Sequence, residues 1–430
     1  MDKSFKVRIF EKAEVNRIKS MTGDCKMPVN VVLFFSEITP EDRVNSITSE
    51  LKASGAHVIE PSEYQPNMIN SYFFVGSGGT ENKIAEFLKR QNQTRPITLL
   101  AYESSNSLPA AMEIRTYLQK EGIPARVMHA PLLDLIERIR SWTKYEQILR
   151  KLEAARIGLV GEPSSWLIAS DINNAKVKET WGVSIEKFNL SEVVDNMKSN
   201  LSERSRNHVD KFISNAKKIT VSNADILNAG QVTQELLDIV ERNKLDAITL
   251  QCFALFEQTE ITGCLALSHL NDIQDLVAGC EGDLPSTFTL LIAKLLTNEP
   301  AFMANVIEVD EQANTVVLAH CTSPTDILSS YDITTHFETG QGVAVKGLFE
   351  EKDVTVFKVF GEALKDYWVS SGTIVENQYN ECGCRTQVKV KLNEPVMYFL
   401  EDSLANHHVL LLGDYSSEIK EFFAFKFGEL

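Results

Sequence analysis

The chain of 430 residues has no apolar run of the ~18–20 residues needed to cross a bilayer; stretches such as VVLFF and HVLLLG are strand-sized. Positive charge is scarce. Lys and Arg total 43 against 59 Asp and Glu, a formal net charge of −16. An acidic surface repels phosphate backbones, which argues against nucleic acid as a partner. Cysteines are few and odd in number, seven at positions 25, 252, 264, 280, 321, 382 and 384, the pattern of free thiols rather than of a disulfide scaffold. Cys382-Gly-Cys384 has the form of half a zinc site, but no second CxC or CxxC completes it. The opening stretch MDKSFKVRIFEKAEV lacks the apolar h-region of a signal peptide. Internal repeats, low-complexity tracts and heptads are also lacking. These absences argue against a membrane span, a secreted scaffold and a disordered chain, and the expectation is a cytoplasmic enzyme-sized protein. The length exceeds what one hydrophobic core usually supports, so two or three domains are expected.

What is present alternates. In residues 1–155, VNVVLFFS, HVIEP, SYFFVGSGG, ITLLAYE and ARVMHA have strand composition. PEDRVNSITSELKASG, TENKIAEFLKRQ and PAAMEIRTYLQKEG carry apolar residues at helical spacing. Strand and helix in this rhythm predict an α/β domain on a parallel sheet. The turn Gly76-Ser77-Gly78-Gly79-Thr80 can offer backbone N–H groups to an anion or hydroxyl, but it lacks the GxGxxG spacing of a nucleotide fingerprint. A charged helical stretch, LLDLIERIRSWTKYEQILRKLEAA, leads into RIGLVGEP and a second Rossmann-like α/β domain over 156–304, where NKLDAITL, GCLALS and FMANVIEVD read as strand material. Over 305–430 the texture turns β-rich: NTVVLAHC, GVAVKGLF, VTVFKVFG, TQVKVKLN and VMYFLE are short segments separated by turn residues. A barrel or sandwich is expected there, closed by HHVLLLGD and a last helix, SSEIKEFFAFKFG.

Three places gather metal-competent residues. Cys280-Glu281-Gly282-Asp283 sets two carboxylates before the helix STFTLLIAKLL, where they can bind a hard divalent ion or cap the helix. His320 ends a predicted strand. His407 and His408 precede another, and because strand neighbours point to opposite faces only one of them readily faces a shared site. Carboxylate and imidazoles form a divalent site if the fold brings them together.

The segments QCFALFEQTEITGCLALSHLND, AGCEGDLPSTFTLLIAKLL, VVLAHCTSP, YDITTHFETGQGVAVKG, CGCRTQV and LANHHVLLLGDY resemble the fucose isomerase family, which is related to the arabinose isomerases. Upstream, VGSGGTENKI, SSNSLPAAMEI and GLVGEPSSWLIAS are similar to the shorter fucose-isomerase-like proteins, so the likeness covers nearly the whole chain. CEGD and NHHV are its most specific parts. The resemblance implies aldose–ketose isomerisation through a cis-enediol, a divalent metal, Mn²⁺ by expectation, and a homo-oligomer with its site near a subunit interface. It implies Glu281 as metal ligand and acid/base group, with His320 and His408 as further ligands. Asp283 is the second expected catalytic carboxylate. The family places an acid about 24 residues after the glutamate, and Asn305 stands there instead. An amide can donate an oxygen but cannot take a proton at neutral pH, so one proton-transfer role falls vacant, with Asp283 or His336 as replacements. His336, Arg385 and Asn106 join Asn305 as expected substrate contacts. Arg385 suits an anionic substituent or a surface pair, and Trp166 a sugar ring or the core. Glu338, Glu81 and Ser107 rank behind them. The substrate is expected to be a sugar or sugar derivative. The alternatives are epimerisation or lyase chemistry at the same metal, or sugar binding without catalysis.

Overall fold

A computed structural model describes residues 29–65, 68, 71–91, 97–197 and 200–427; the opening stretch and Cys25 lie outside them. The chain forms two compact units, the first running to Glu146 and the second from Gln147.

The first unit holds five parallel strands, β1 (Val29–Phe34), β2 (Ala56–Ile59), β3 (Ser71–Val75), β4 (Ile97–Ala101) and β5 (Ala125–His129), in the order β2-β1-β3-β4-β5. Helices Glu41–Ala53, Glu81–Arg90 and Ser107–Lys120 follow β1, β3 and β4. The apolar stripes of the helices Glu81–Arg90 and Ser107–Lys120 and the β-branched strands share one core around Val32, Phe73, Ile84, Leu99 and Ile114. This is the α/β arrangement that the alternating pattern predicts.

The second unit opens with β6 (Arg156–Val160) and β7 (Ser184–Phe188), followed by the short β8 (Lys218–Ile219), then β9 (Ala247–Leu250) and β10 (Val277–Gly279). A second parallel sheet runs β10-β9-β6-β7. The polar stretch after β7 folds as helices Leu190–Asn196 and Glu203–Asn215, and the long helix Asn223–Asn243 starts on a capping box of Ser222 and Asp225. GCLALS is not a strand but the start of the helix Cys264–Asn271. Seven of that helix's residues are buried, so its apolar run has no exposed face to print a helical period.

The C-terminal region adds β11 (Phe302–Asp310), β12 (Thr315–His320), β13 (Ser330–Thr334), β14 (Ala344–Leu348), β15 (Asp353–Phe360), β16 (Asp366–Asn377), β17 (Thr386–Leu392) and β18 (His407–Leu412). Six of them close an antiparallel barrel in the order β11-β12-β17-β16-β15-β18. Its interior is filled by Phe302, Leu318, Val356, Val390 and Leu410. β14, β13 and β8 form a small separate sheet. VMYFLE departs from expectation, turning as the helix Tyr398–Glu401. No helix among the described residues is long and apolar enough to cross a membrane.

Candidate metal centre and cavity

The second parallel sheet presents the carboxyl ends of its strands, where ligands of open α/β sheets usually bind. β10 ends at Gly279, and the chain turns through Cys280, Glu281 and Gly282 into the helix Leu284–Thr297. Glu281 and Gly282 have φ of 62° and 69°, and a Cβ on Gly282 would lie 2.7 Å from the Glu162 carbonyl oxygen. Left-handed backbone is uncommon for a residue with a side chain and persists where surrounding contacts fix it. Here the Gly282 N–H donates to Leu250 O at 3.0 Å and the Ser164 N–H to Glu281 O at 2.9 Å. The turn aims Glu281 at the barrel wall.

β11, β12 and β18 supply that wall, with Asn305 paired to Ala319 on one side and to His407 on the other. The ligand atoms of Glu281, His320 and His407 lie within 4.8 Å of one another, and all three residues are buried. His407 Nδ1 meets Asp283 Oδ2 at 2.8 Å, and His320 Nδ1 meets Thr322 Oγ1 at 2.8 Å. The Nε2 atoms of both rings are buried without a hydrogen-bond partner. Two imidazole nitrogens stripped of water and left unpartnered beside a carboxylate are costly unless something binds them. A divalent cation fits that donor set, and three protein donors leave coordination positions open for substrate.

His408 is a correction. It does not join Glu281 and His320. It shares the barrel's inner face with Ala304 and Leu410, its Nε2 lies 2.9 Å from Tyr398 Oη, and the rings of Trp368 and Phe399 pack around it. Alternation on β18 puts His407 on the outer face, beside Glu281 and His320.

Asp283 is also placed differently from the substrate-contacting carboxylate expected. It is wholly buried, caps the helix through the Ser286 N–H at 2.8 Å, accepts from Ser286 Oγ at 2.7 Å and orients His407. Lys358, fully buried on β15, reaches Ser286 Oγ at 2.7 Å and stands 3.9 Å from Asp283 Oδ2. Burial alone would raise Asp283, but Lys358 and His407 hold it well below the usual carboxylate range. Burial would likewise raise Glu281, yet the His407 ring 3.6 Å away, the charge of His320 and the Trp166 N–H lower it. Burial works against a charge on His407 too; the hydrogen bond to Asp283 and the negative charges of Asp283 and Glu281 prevail and raise it to about 9. Burial and the neighbouring His407 lower His320 to about 4.

Glu281 and His320 border a cavity of about 470 Å³ that is also lined by Asn305, His336, Glu338 and Asn406, with aromatic walls from Trp166, Phe253, Phe256 and Phe337; His407 lies behind that lining. The Asn305 amide oxygen accepts from Asn406 Nδ2 at 3.0 Å. Trp166 is half-exposed rather than core, and its Nε1–H donates to Glu281 Oε2 at 2.7 Å. Arg385 does not line the cavity; its Nε donates to the Thr335 carbonyl at 2.9 Å. Asn106 belongs to the first unit, where it opens the helix Ser107–Lys120 with φ of 56°. The sequence signal for Lys358 is that it is the one charge inside the apolar strand VTVFKVF.

No family model matches the chain. It is similar to proteins named sulfoquinovose isomerase: 22% identical over 189 residues to those of Priestia aryabhattai and Priestia megaterium, covering 44% of this chain and 42% of each relative. A sulfoquinovose isomerase of Clostridium sp. is 22% identical over 336 residues, 74% of this chain and 72% of the relative. The first two matches therefore span less than half the length of those relatives.

Proposed function

We propose that the protein is an aldose–ketose isomerase that works with a divalent cation, Mn²⁺ by expectation, held by Glu281, His320 and His407. The observation that carries this reading is the convergence of a buried carboxylate and two imidazole nitrogens without hydrogen bonds, with Glu281 and His320 among them lining a sugar-sized cavity. The names of the similar proteins support sugar isomerisation and point to sulfoquinovose, a hexose with a sulfonate at C6, as the substrate to try first. A homo-oligomer in the cytoplasm is part of the same reading.

Held by these residues, the cation would supply Lewis-acid polarisation of the sugar and ease loss of the proton on the carbon beside the carbonyl. Glu281, anionic and steadied by the Trp166 N–H, takes that proton from one carbon and returns it to the other through an enediol. Asp283 is committed to His407 and the helix cap, and Asn305 accepts no proton at neutral pH. Glu338 and His336, which also line the cavity, are left to move the proton between the two oxygens. The aromatic walls cover the apolar face of the sugar and limit water at the reacting carbons.

The test is a panel of neutral and sulfonated aldoses given to Mn²⁺-loaded protein in D₂O, with ketose formation and deuterium at the carbon beside the carbonyl as the expected result. Glu281→Gln should lower kcat by about 10²–10⁴-fold. No ketose from any aldose by protein that demonstrably binds the ion would sink the proposal. Asn305 favours a second reading, epimerisation, carbon–carbon cleavage or binding without turnover at the same centre, and product analysis from the same incubation separates these.

A further inference from the structure

The proton-transfer scheme leaves several cavity thiols unused, and two of them are poised as a pair. Cys252 begins the helix Cys252–Thr259 just after β9, and Cys280 follows β10. β9 and β10 are parallel neighbours with Thr249 paired to Gly279, so the residues leaving their carboxyl ends emerge side by side. The two sulfurs are 3.0 Å apart, inside the ~3.5–4.0 Å optimum of non-bonded heavy atoms. Both residues line the cavity and are otherwise buried, at 7% and 4% exposure.

We propose that Cys252 and Cys280 form an oxidisable dithiol, a modification site on the cavity wall that a peroxide converts to a disulfide. One thiol attacks a peroxide oxygen; the O–O bond breaks, water leaves and a sulfenic acid remains. The second sulfur attacks the first, the S–S bond forms, the S–O bond breaks and a second water leaves. The two sulfurs together lose two electrons, which the peroxide oxygens gain. Closure to the disulfide length of about 2.05 Å needs roughly 1 Å of approach.

Cys280 immediately precedes Glu281, whose left-handed turn is pinned on both sides. Drawing Cys280 toward the helix shifts that carboxylate, and a misplacement of about 1 Å can cost on the order of 100-fold in rate. A loss of turnover of about tenfold or more in the oxidised protein is therefore expected. That consequence rests on the isomerase reading; the cross-link does not.

The experiment exposes full-length, Mn²⁺-loaded protein to hydrogen peroxide, alkylates the remaining thiols and maps non-reduced peptides by mass. The expected product joins the peptides of Cys252 and Cys280, two hydrogens lighter than their sum, and disappears with dithiothreitol as turnover returns. Cys252→Ser should give no such product and should keep its own untreated turnover at the same dose. Phenylarsine oxide, which bridges adjacent thiols, provides a second measurement without mutation and should shield both cysteines from alkylation. Recovery of Cys252 and Cys280 fully alkylated while Cys382 or Cys384 is oxidised overturns the site. A quantitative cross-link with unchanged turnover overturns its link to Glu281.

Discussion

His407 and His408 are adjacent on β18, so their side chains leave opposite faces of the barrel wall. His407 reaches Asp283 and Glu281, whereas His408 meets Tyr398 inside the barrel. Identical side chains thus have separable consequences. His407→Gln is expected to weaken Mn²⁺ binding by about 100-fold or more, since loss of a group that merely orients a ligand already costs about 10–100-fold. His408→Phe should leave Mn²⁺ affinity nearly unchanged and lower stability by about 1 kcal/mol, the worth of its hydrogen bond to Tyr398. Titration calorimetry of both variants decides the assignment; loss of binding in the second with retention in the first would restore His408 as the ligand. From the sequence it was legible that only one of the pair readily faces the site. Which one depends on the register of β11 with β18, a pairing of strands about a hundred residues apart that no local pattern encodes.

At the scale of elements, the barrel is tied to the helix Leu284–Thr297 by a buried chain of charge. Lys358 on β15 meets Ser286 and Asp283 at the helix start, and Asp283 passes the link to His407 on β18. Three elements are thereby fixed at the point where the metal ligands must converge. A fully buried lysine is rarely tolerated unless it is paired. Lys358→Met alone should destabilise the protein by about 3–5 kcal/mol because it strands Asp283, whereas adding Asp283→Asn should cost less than the sum. A double-mutant cycle in urea is expected to give a coupling of about 1–3 kcal/mol, and additive effects would show that the two charges act independently. Most strands of both α/β segments and of the barrel were readable because alternation and β-branched runs are local signals, although the long β16 was not among them. The helix Cys264–Asn271 and the turn at Tyr398–Glu401 were not, since the first is buried on every side and the second has too few residues for a period. The exposure of Trp166 and the partners of Arg385 were not legible for a similar reason, both being set by tertiary contacts.

For the whole molecule, the buried imidazoles make stability without metal depend on pH from both sides. His407 rises from 6.5 to about 9 on folding. Its contribution is fully present below pH 6.5, where both states carry the proton, and is lost as pH climbs through about 9. That amounts to on the order of 3 kcal/mol. His320 and His408 move the other way, from 6.5 to about 4 and about 3, both chiefly through burial. The unfolded chain takes up their protons first, so stability falls as pH drops below about 6.5. Asp283, held below its ordinary value, adds to the loss once pH falls under its unfolded value of 3.8. Protein stripped of metal should therefore be most stable near pH 6.5 and weaken towards pH 9. Added Mn²⁺ must displace the His407 proton, so its stabilising effect should grow over that same interval. Urea midpoints from about pH 5 to about pH 9.5, with EDTA and with Mn²⁺, test both halves. A metal-free midpoint that stays level or rises from pH 6.5 to pH 9 would mean that His407 carries no extra proton. The ion would then meet a neutral ring already fixed by Asp283, and its affinity would be flat where proton competition requires it to climb.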